Sequence, residues 1–122
     1  MKPTFRPKIA VLFLARTLGL FALARQLTRS RLRILCYHGG VIGDEAGYNP
    51  KLFCSASTLH RRMQWMQRQG FNFVTLEDGV AQQSVAGAKA PLRTAVTFDD
   101  GWYSTASKLV PVLGAFPLPV EV

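Results

Sequence analysis

Beyond residue 31, short apolar runs alternate along the chain with segments of helical periodicity. Three of these runs predict strands, because they are rich in apolar, β-branched and aromatic residues and too short for stable helices: residues 32–38, 71–76 and 93–99. Residues 118–122 have the same pattern and predict the start of a fourth strand. Strands separated by helices predict a parallel sheet with right-handed crossovers, so the expected fold class is α/β.

Helices are predicted between these strands, at residues 56–69, 77–84 and 104–114. The first has Ser55 or Ser57 as its N-cap, and Gly70, just past its end, suits the left-handed conformation that terminates helices. Its predicted buried stripe consists of Leu59, Met63 and Met66. Pro111 interrupts the last pattern and predicts a kink or a late start, because proline removes a helical hydrogen bond. Residues 39–55 and 85–91 predict loops.

Residues 9–27 are rich in Leu and Ala, contain no proline and predict one helix. Its polar positions fall on more than one side, and a helix that is apolar nearly all round must bury itself in protein or lipid. Arg16 divides the apolar run, so neither half reaches the roughly 20 residues of a transmembrane span. We therefore expect a helix docked on the core or at a membrane interface. A signal peptide is the alternative, since a basic start, an apolar run and the Ala-Leu-Ala of residues 22–24 resemble its three regions.

The net charge of +8 is concentrated near the N-terminus. Eight basic residues occur in the first 33 positions, before the first acid, Asp44, whereas from residue 34 onward seven basic residues meet seven acids. The basic character therefore belongs to the N-terminal segment, and a membrane surface is a candidate partner for residues 1–30. Nucleic acid is not expected as a partner, because the basic residues lie in an apolar helix without interleaved base-stacking aromatics.

The chain has two cysteines, Cys36 and Cys54. They are not spaced as a CxxC and have no histidine pair at metal-site spacing, so the sequence assigns them no chemistry. Cys36 lies in an apolar strand pattern, where a small buried thiol is the ordinary interpretation. The sequence does not decide whether the two form a disulfide.

Residues 97–101, Thr-Phe-Asp-Asp-Gly, are the clearest candidate for chemistry. The carboxyl ends of parallel strands form the ligand-binding edge of a sheet, so Asp99 and Asp100 are expected there. Adjacent carboxylates repel unless they share a cation or a proton, and a metal ligand beside a general base meets that condition. The alternative is a solvated turn in which Asp100 caps the following helix. These residues alone favour the turn.

Three stretches in this order are similar to the opening of the polysaccharide deacetylase family, carbohydrate esterase family 4 or the NodB-homology domain. They are ILCYHG at residues 34–39, GFNFVTLE at residues 70–77 and VTFDDGW at residues 96–102. The resemblance covers about residues 32–122. It divides the chain into a basic, apolar N-terminal helix at residues 1–31 and the N-terminal part of a deacetylase domain.

The resemblance implies a distorted (β/α) barrel that removes acetyl groups from N-acetylated polysaccharides or oligosaccharides, with a divalent metal, commonly zinc. By motif, Asp99 matches the general base that activates water, Asp100 matches a metal ligand and Gly101 matches the turn residue. His38 is a candidate for the substrate rim, and a buried structural histidine is the alternative. Trp102 and Tyr103 are candidates for stacking on a sugar ring, although Trp102 would equally fill the gap between helix and sheet.

The sequence departs from the family because it lacks the His-[Ser/Thr]-x-x-His motif that supplies two imidazole ligands. We therefore expect a truncated domain that does not hold zinc tightly and is inactive alone. A non-catalytic carbohydrate-binding remnant and a membrane-surface protein are the alternative functions. A membrane-associated or cell-envelope location is expected, with a cytoplasmic one as the alternative. His60, beside two arginines on a predicted helix, is expected at the surface.

Overall fold

The computed structural model describes residues 7–44, 49, 51–82, 90–116 and 118–119, and it has a mixed α/β fold. In chain order the elements are α1 (Pro7–Thr17), α2 (Leu20–Leu27), β1 (Arg33–Tyr37), β2 (Gly39–Gly40), β3 (Phe53–Cys54), α3 (Ala56–Arg68), β4 (Phe71–Phe73), α4 (Leu76–Ala81), β5 (Leu92–Phe98), a π-helical turn (Thr105–Leu109) and α5 (Val110–Leu113).

The main sheet has three parallel strands in the order β1-β5-β4. Its central strand β5 is buried at every position except the half-buried Thr97, as expected for a strand covered on both faces. The register pairs Tyr37 with Phe98 and Phe73 with Thr94, so β1 and β5 end side by side. The predicted α/β class and its parallel strands are confirmed. Among the described residues the strands do not close into a barrel.

A second sheet lies inside the segment that the sequence predicts as a loop. β2 and β3 form a parallel pair of two residues each, with Gly39 opposite Phe53 and Gly40 opposite Cys54. Both glycines are buried, and an added Cβ on Gly40 would lie 2.8 Å from the carbonyl oxygen of Ser104. The chain after β1 therefore passes close to the π-helical turn, and a side chain at Gly40 would require the backbone to shift.

Helix α3 covers one face of the sheet. The predicted stripe is confirmed, since Leu59, Met63 and Met66 are buried and belong to the same core cluster as Val96 and Phe98 of β5. The Ser55 side chain accepts a hydrogen bond from the Thr58 N–H at 3.2 Å, so Ser55 is the N-cap. Gly70 follows the helix with φ of 77°, the left-handed conformation that was predicted for it.

The prediction of one helix over residues 9–27 is wrong. The chain breaks at Gly19, which has φ of 73°, and α1 and α2 are bent by 72° relative to each other. Glycine adopts this conformation without steric cost, and it is a weak helix former, so the break falls there. Neither helix has a buried residue, so the core-docked alternative is wrong, and docking at a membrane interface stays a prediction.

Within the described residues, no single helix has the length and hydrophobicity to cross a membrane. Taken together, α1 and α2 have the length and composition of a bent span, a property that signal sequences share.

The C-terminal elements differ from the prediction in their detail. The helix predicted at residues 104–114 is a π-helical turn followed by the short α5, because Pro111 has no N–H to donate to the preceding turn. The helix predicted at residues 77–84 is α4, which begins one residue earlier after the N-cap Thr75. Leu118 and Pro119 are not in a strand, and the other residues of the predicted fourth strand lie outside the described ones.

Candidate functional site

The candidate site lies at the carboxyl ends of β1 and β5. The Asp99 N–H donates to the carbonyl oxygen of Tyr37 at 2.8 Å and extends the parallel ladder by one residue. This bond places His38 and Asp99 next to each other, with 3.9 Å between His38 Nε2 and Asp99 Oδ2. Their side chains are 36% and 55% exposed, so both are open to a ligand from solvent.

The turn after β5 has an unusual backbone. Asp100 and Gly101 both have positive φ, at 67° and 53°. Aspartate tolerates the left-handed region better than most residues, yet it costs more there than glycine, and such conformations occur often at functional sites. The structure describes no hydrogen bond from the exposed Asp100 carboxylate to the helix that follows. The turn expected at Asp100 is therefore present, but Asp100 does not cap the following helix, whose N-cap is Ser104.

Two hydroxyl groups hold the loop after β1 against the segment after the acidic pair. Thr105 Oγ1 donates to the carbonyl oxygen of His38 at 3.0 Å, and Ser104 Oγ accepts from the Gly40 N–H at 3.1 Å. Both hydroxyl residues are buried, so these bonds are shielded from water. They fix the relative positions of His38 and Asp99. From sequence, Ser104 and Thr105 are predicted only as the start of a helix, and no pattern indicates that they belong to a site.

Cys36 is a third reactive side chain at this edge, although the sequence assigned it no chemistry. Its expected burial is wrong: the thiol is exposed, because alternate residues of β1 point to the face opposite α3. The pKa of the Cys36 thiol is raised, chiefly because the thiol donates a hydrogen bond to the Asp99 carboxylate, and also because of partial desolvation. The negative charges of Asp99 and Asp100 add to the effect, whereas a hydrogen bond involving Thr97 opposes it. Cys36 and Cys54 are free, so the disulfide is not formed.

A cavity of about 350 Å³ lies beside His38. Its volume is in the range of small-molecule sites, which begin at roughly 300 Å³. Cys36, His38, Lys51, Ser55 and Arg62 are among the residues that line it, so it combines basic groups with neutral polar ones. Asp99 is not one of its lining residues. The cavity therefore borders the carboxylate site on the His38 side.

The aromatic rim candidates are positioned differently from each other. Trp102 is 49% exposed and makes an edge contact with Phe53, with ring centroids 5.8 Å apart. This exposure does not fit a residue that fills the gap between helix and sheet. Tyr103 is 79% exposed and offers a free ring face. His60 is exposed as expected, and its ring contacts Phe116 at a centroid distance of 5.2 Å.

Few groups that could coordinate a metal lie near one another in the described part of the chain. No group of three or more His, Cys, Asp or Glu side chains is close enough together there to hold a metal ion. His38 and Asp99 can supply an imidazole nitrogen and a carboxylate oxygen, but a structural or catalytic zinc site needs at least three protein ligands. The residues present therefore do not form a complete zinc site.

Compared with known proteins, the chain matches no family model, no curated protein and no solved structure. The resemblance to polysaccharide deacetylases thus depends on the three sequence motifs.

Proposed function

We propose that this chain carries the carboxylate part of a deacetylase-type site, which acts on the carbon–nitrogen bond of acetamido sugars rather than on peptide bonds. In this proposal the parallel sheet is part of a (β/α) barrel of the polysaccharide deacetylase type. The observation that supports it best is the pairing of the Asp99 carboxylate with the His38 imidazole, 3.9 Å apart at one sheet edge, with Asp100 in a left-handed turn beside them.

The reaction is hydrolysis of an acetamide. A water oxygen bonds to the acetyl carbon, the C–N bond breaks, and the products are acetate and the sugar amine. Asp99 accepts the proton of the water, because its exposed carboxylate can be reached from solvent and lies where a ligand would enter the edge of the sheet. A proton can return to the leaving amine from the same carboxyl group.

In this proposal the aromatic side chains of Trp102 and Tyr103 orient the sugar. Trp102 and Tyr103 follow the acidic pair directly and keep large exposed surfaces, which suits stacking on the apolar face of a sugar ring. His38 borders both Asp99 and the polar cavity, so it can contact a bound oligosaccharide from the other side.

The described residues supply too few ligands for a complete zinc site. Asp100 is the proposed metal ligand, and the family supplies two further imidazoles from a motif that this sequence lacks. We therefore propose that the chain alone binds zinc weakly and is inactive by itself. A non-catalytic carbohydrate-binding role uses the same rim, and acetate release separates it from hydrolysis.

The test combines metal binding with turnover. Zinc is titrated calorimetrically into the full chain and into Asp100→Ala, and acetate release is measured with N-acetylglucosamine oligosaccharides. We expect weak zinc binding that Asp100→Ala reduces on the order of tenfold, a typical effect of disturbing a metal site. Any acetate release should vanish in Asp99→Asn.

Asp78→Ala is the matched control, since Asp78 is an exposed acid on α4 away from this edge. Equal zinc affinity of Asp100→Ala and the unaltered chain would overturn the metal role. Acetate release that persists in Asp99→Asn would overturn the catalytic role. Sugar binding through Trp102 without any turnover would favour the carbohydrate-binding alternative.

A further inference from the structure

We propose that α1 and α2 form a docking surface for an anionic lipid bilayer, with both helices lying in the plane of the interface. This docking surface comprises residues 7–33. The inference is independent of the carboxylate site at the other end of the strands, and each can fail without the other.

The first observation is the amount of apolar surface that the two helices expose. Their large apolar residues are 41% to 73% exposed. They are Ile9, Val11, Leu12, Phe13, Leu14, Leu18, Leu20, Phe21, Leu23 and Leu27. Ten large exposed apolar residues within 19 positions indicate an interaction surface rather than ordinary scatter.

The orientation of α2 is the second observation. Leu20, Leu23 and Leu27 recur at helical spacing, and such a stripe ordinarily packs on the protein core. Here these leucines face solvent, and a different side of the helix, with Phe21, Ala24 and Arg25, lines a groove towards the body of the protein. The helix is thus turned with its apolar stripe outward, which is the arrangement of an interfacial helix whose apolar face enters lipid.

The third observation is a groove of about 620 Å³ between the helices and the sheet. Arg16, Arg25 and Arg33 line it together with the aromatic residues Phe21, Trp65 and Phe71. The pKa of Arg33 is lowered by partial burial and by the neighbouring charges of Arg25 and Arg29. Positive charges therefore crowd together at this groove, and an anion between them would relieve their repulsion.

Among the described residues, no carboxylate forms an ion pair with these arginines. The first acid in the sequence is Asp44, and the ion pair found in the described part of the chain is His38–Asp99. An anionic headgroup can supply the missing negative charge while its acyl chains contact the exposed leucines. A second copy of the chain fits less well, because it would bring the same positive charges to the same surface.

The break between the helices favours in-plane binding over a bent span. Gly19 turns the chain by 72° between two helices of 11 and 8 residues, and each is shorter than the roughly 20 residues of a span. Arg16 and Arg25, one in each helix, would be costly at the bilayer centre but are favourable at the level of the phosphates.

The experiment is vesicle co-sedimentation of the full chain. One set of vesicles contains phosphatidylcholine alone and the other contains phosphatidylcholine with phosphatidylglycerol. We expect strong preference for the anionic vesicles, and a loss of about fivefold in partitioning for each of Arg25→Gln and Arg33→Gln. Leu23→Asp should abolish most binding by placing a charge in the apolar face.

Matched controls separate this surface from general effects. Arg61→Gln removes an exposed arginine of α3, and Val80→Asp places a charge on an exposed apolar residue of α4. Both should bind as the unaltered chain does. Circular dichroism of each variant checks folding, which should be unchanged because Leu23 is exposed.

Three results would overturn the proposal. One is equal binding to both kinds of vesicle. Another is a Leu23→Asp variant that binds anionic vesicles as the unaltered chain does. The last is self-association, detected by analytical ultracentrifugation without lipid, that Leu23→Asp removes, since this would identify a second copy as the occupant. Inorganic phosphate should not displace the chain, because a free anion lacks the apolar contacts.

Discussion

His38 Nε2 lies 3.9 Å from Asp99 Oδ2, at the point where two neighbouring parallel strands end together. This proximity joins residues 61 positions apart in sequence, and it follows from the register that pairs Tyr37 with Phe98. The next residue on each strand then reaches the same edge. The Thr105 hydroxyl donates to the His38 carbonyl oxygen, and the Asp99 N–H donates to the Tyr37 carbonyl oxygen, so hydrogen bonds to the backbone position the pair.

The pH dependence of Cys36 alkylation should show whether the Asp99 carboxylate lies beside the thiol. Because the nearby carboxylate raises the pKa of the Cys36 thiol, the thiolate should form at higher pH than in an ordinary cysteine. Asp99→Asn removes the negative charge, so the pH midpoint of Cys36 alkylation should move downward. The measurement is the alkylation rate against pH in a Cys54→Ser background, which leaves Cys36 as the only thiol.

Glu77→Gln is the control for this pH profile, because Glu77 lies on α4 and is not among the causes of the Cys36 shift. It should leave the midpoint unchanged. An upward movement in Asp99→Asn, or no movement, would show that the carboxylate is not beside the thiol in solution.

Gly40→Ala should destabilise the fold by about 1–3 kcal/mol, as overpacking typically does. An added Cβ would lie 2.8 Å from the Ser104 carbonyl oxygen, and a backbone atom cannot move aside as a flexible side chain can. Urea denaturation gives the free energy of unfolding. Gly114→Ala is the matched control, since its Cβ would meet only the Pro111 oxygen at 3.5 Å and its φ of −60° suits alanine. Equal effects of the two substitutions would contradict the close approach at Gly40.

Thr105→Val should lower the free energy of unfolding by about 1–3 kcal/mol, the usual cost of leaving a buried polar group without its partner. The substitution keeps the shape of the side chain but removes the hydroxyl that donates to the His38 carbonyl. Thr17→Val is the control, because the Thr17 hydroxyl makes a similar bond, to Leu14, on the exposed surface of α1. Thermal unfolding should separate the variants, and a Thr105→Val chain as stable as the control would argue against this buried bond.

The strands and α3 could be predicted from sequence because each has a local pattern of its own. The prediction of residues 93–99 differs from β5 by one residue at each end, and the stripe Leu59, Met63 and Met66 is buried as its spacing indicates. The paired acids were likewise expected at the carboxyl end of a strand, where Asp99 and Asp100 lie. Periodicity and strand polarity are properties of single segments, so one sequence suffices for them.

Features that depend on contacts between segments could not be predicted in the same way. The β2–β3 pair has two residues on each side, too few for any periodicity, and it depends on the fit of Gly39 and Gly40 against Ser104. The exposure of Cys36 depends on which face of β1 receives α3. The break at Gly19 is a local feature, but the leucines on both sides of it concealed the glycine within an apolar pattern.

The N-cap of α3 gives the last prediction, because the sequence left Ser55 and Ser57 as alternatives. The Ser55 hydroxyl accepts from the Thr58 N–H at 3.2 Å, whereas Ser57 lies inside the helix and contacts the Ser55 hydroxyl. Ser55→Ala should therefore cost about 1 kcal/mol, since an N–H at the helix start loses its partner. Ser57→Ala should change the stability much less. Urea denaturation of both variants measures these losses of stability. A larger loss of stability for Ser57→Ala than for Ser55→Ala would contradict Ser55 as the N-cap.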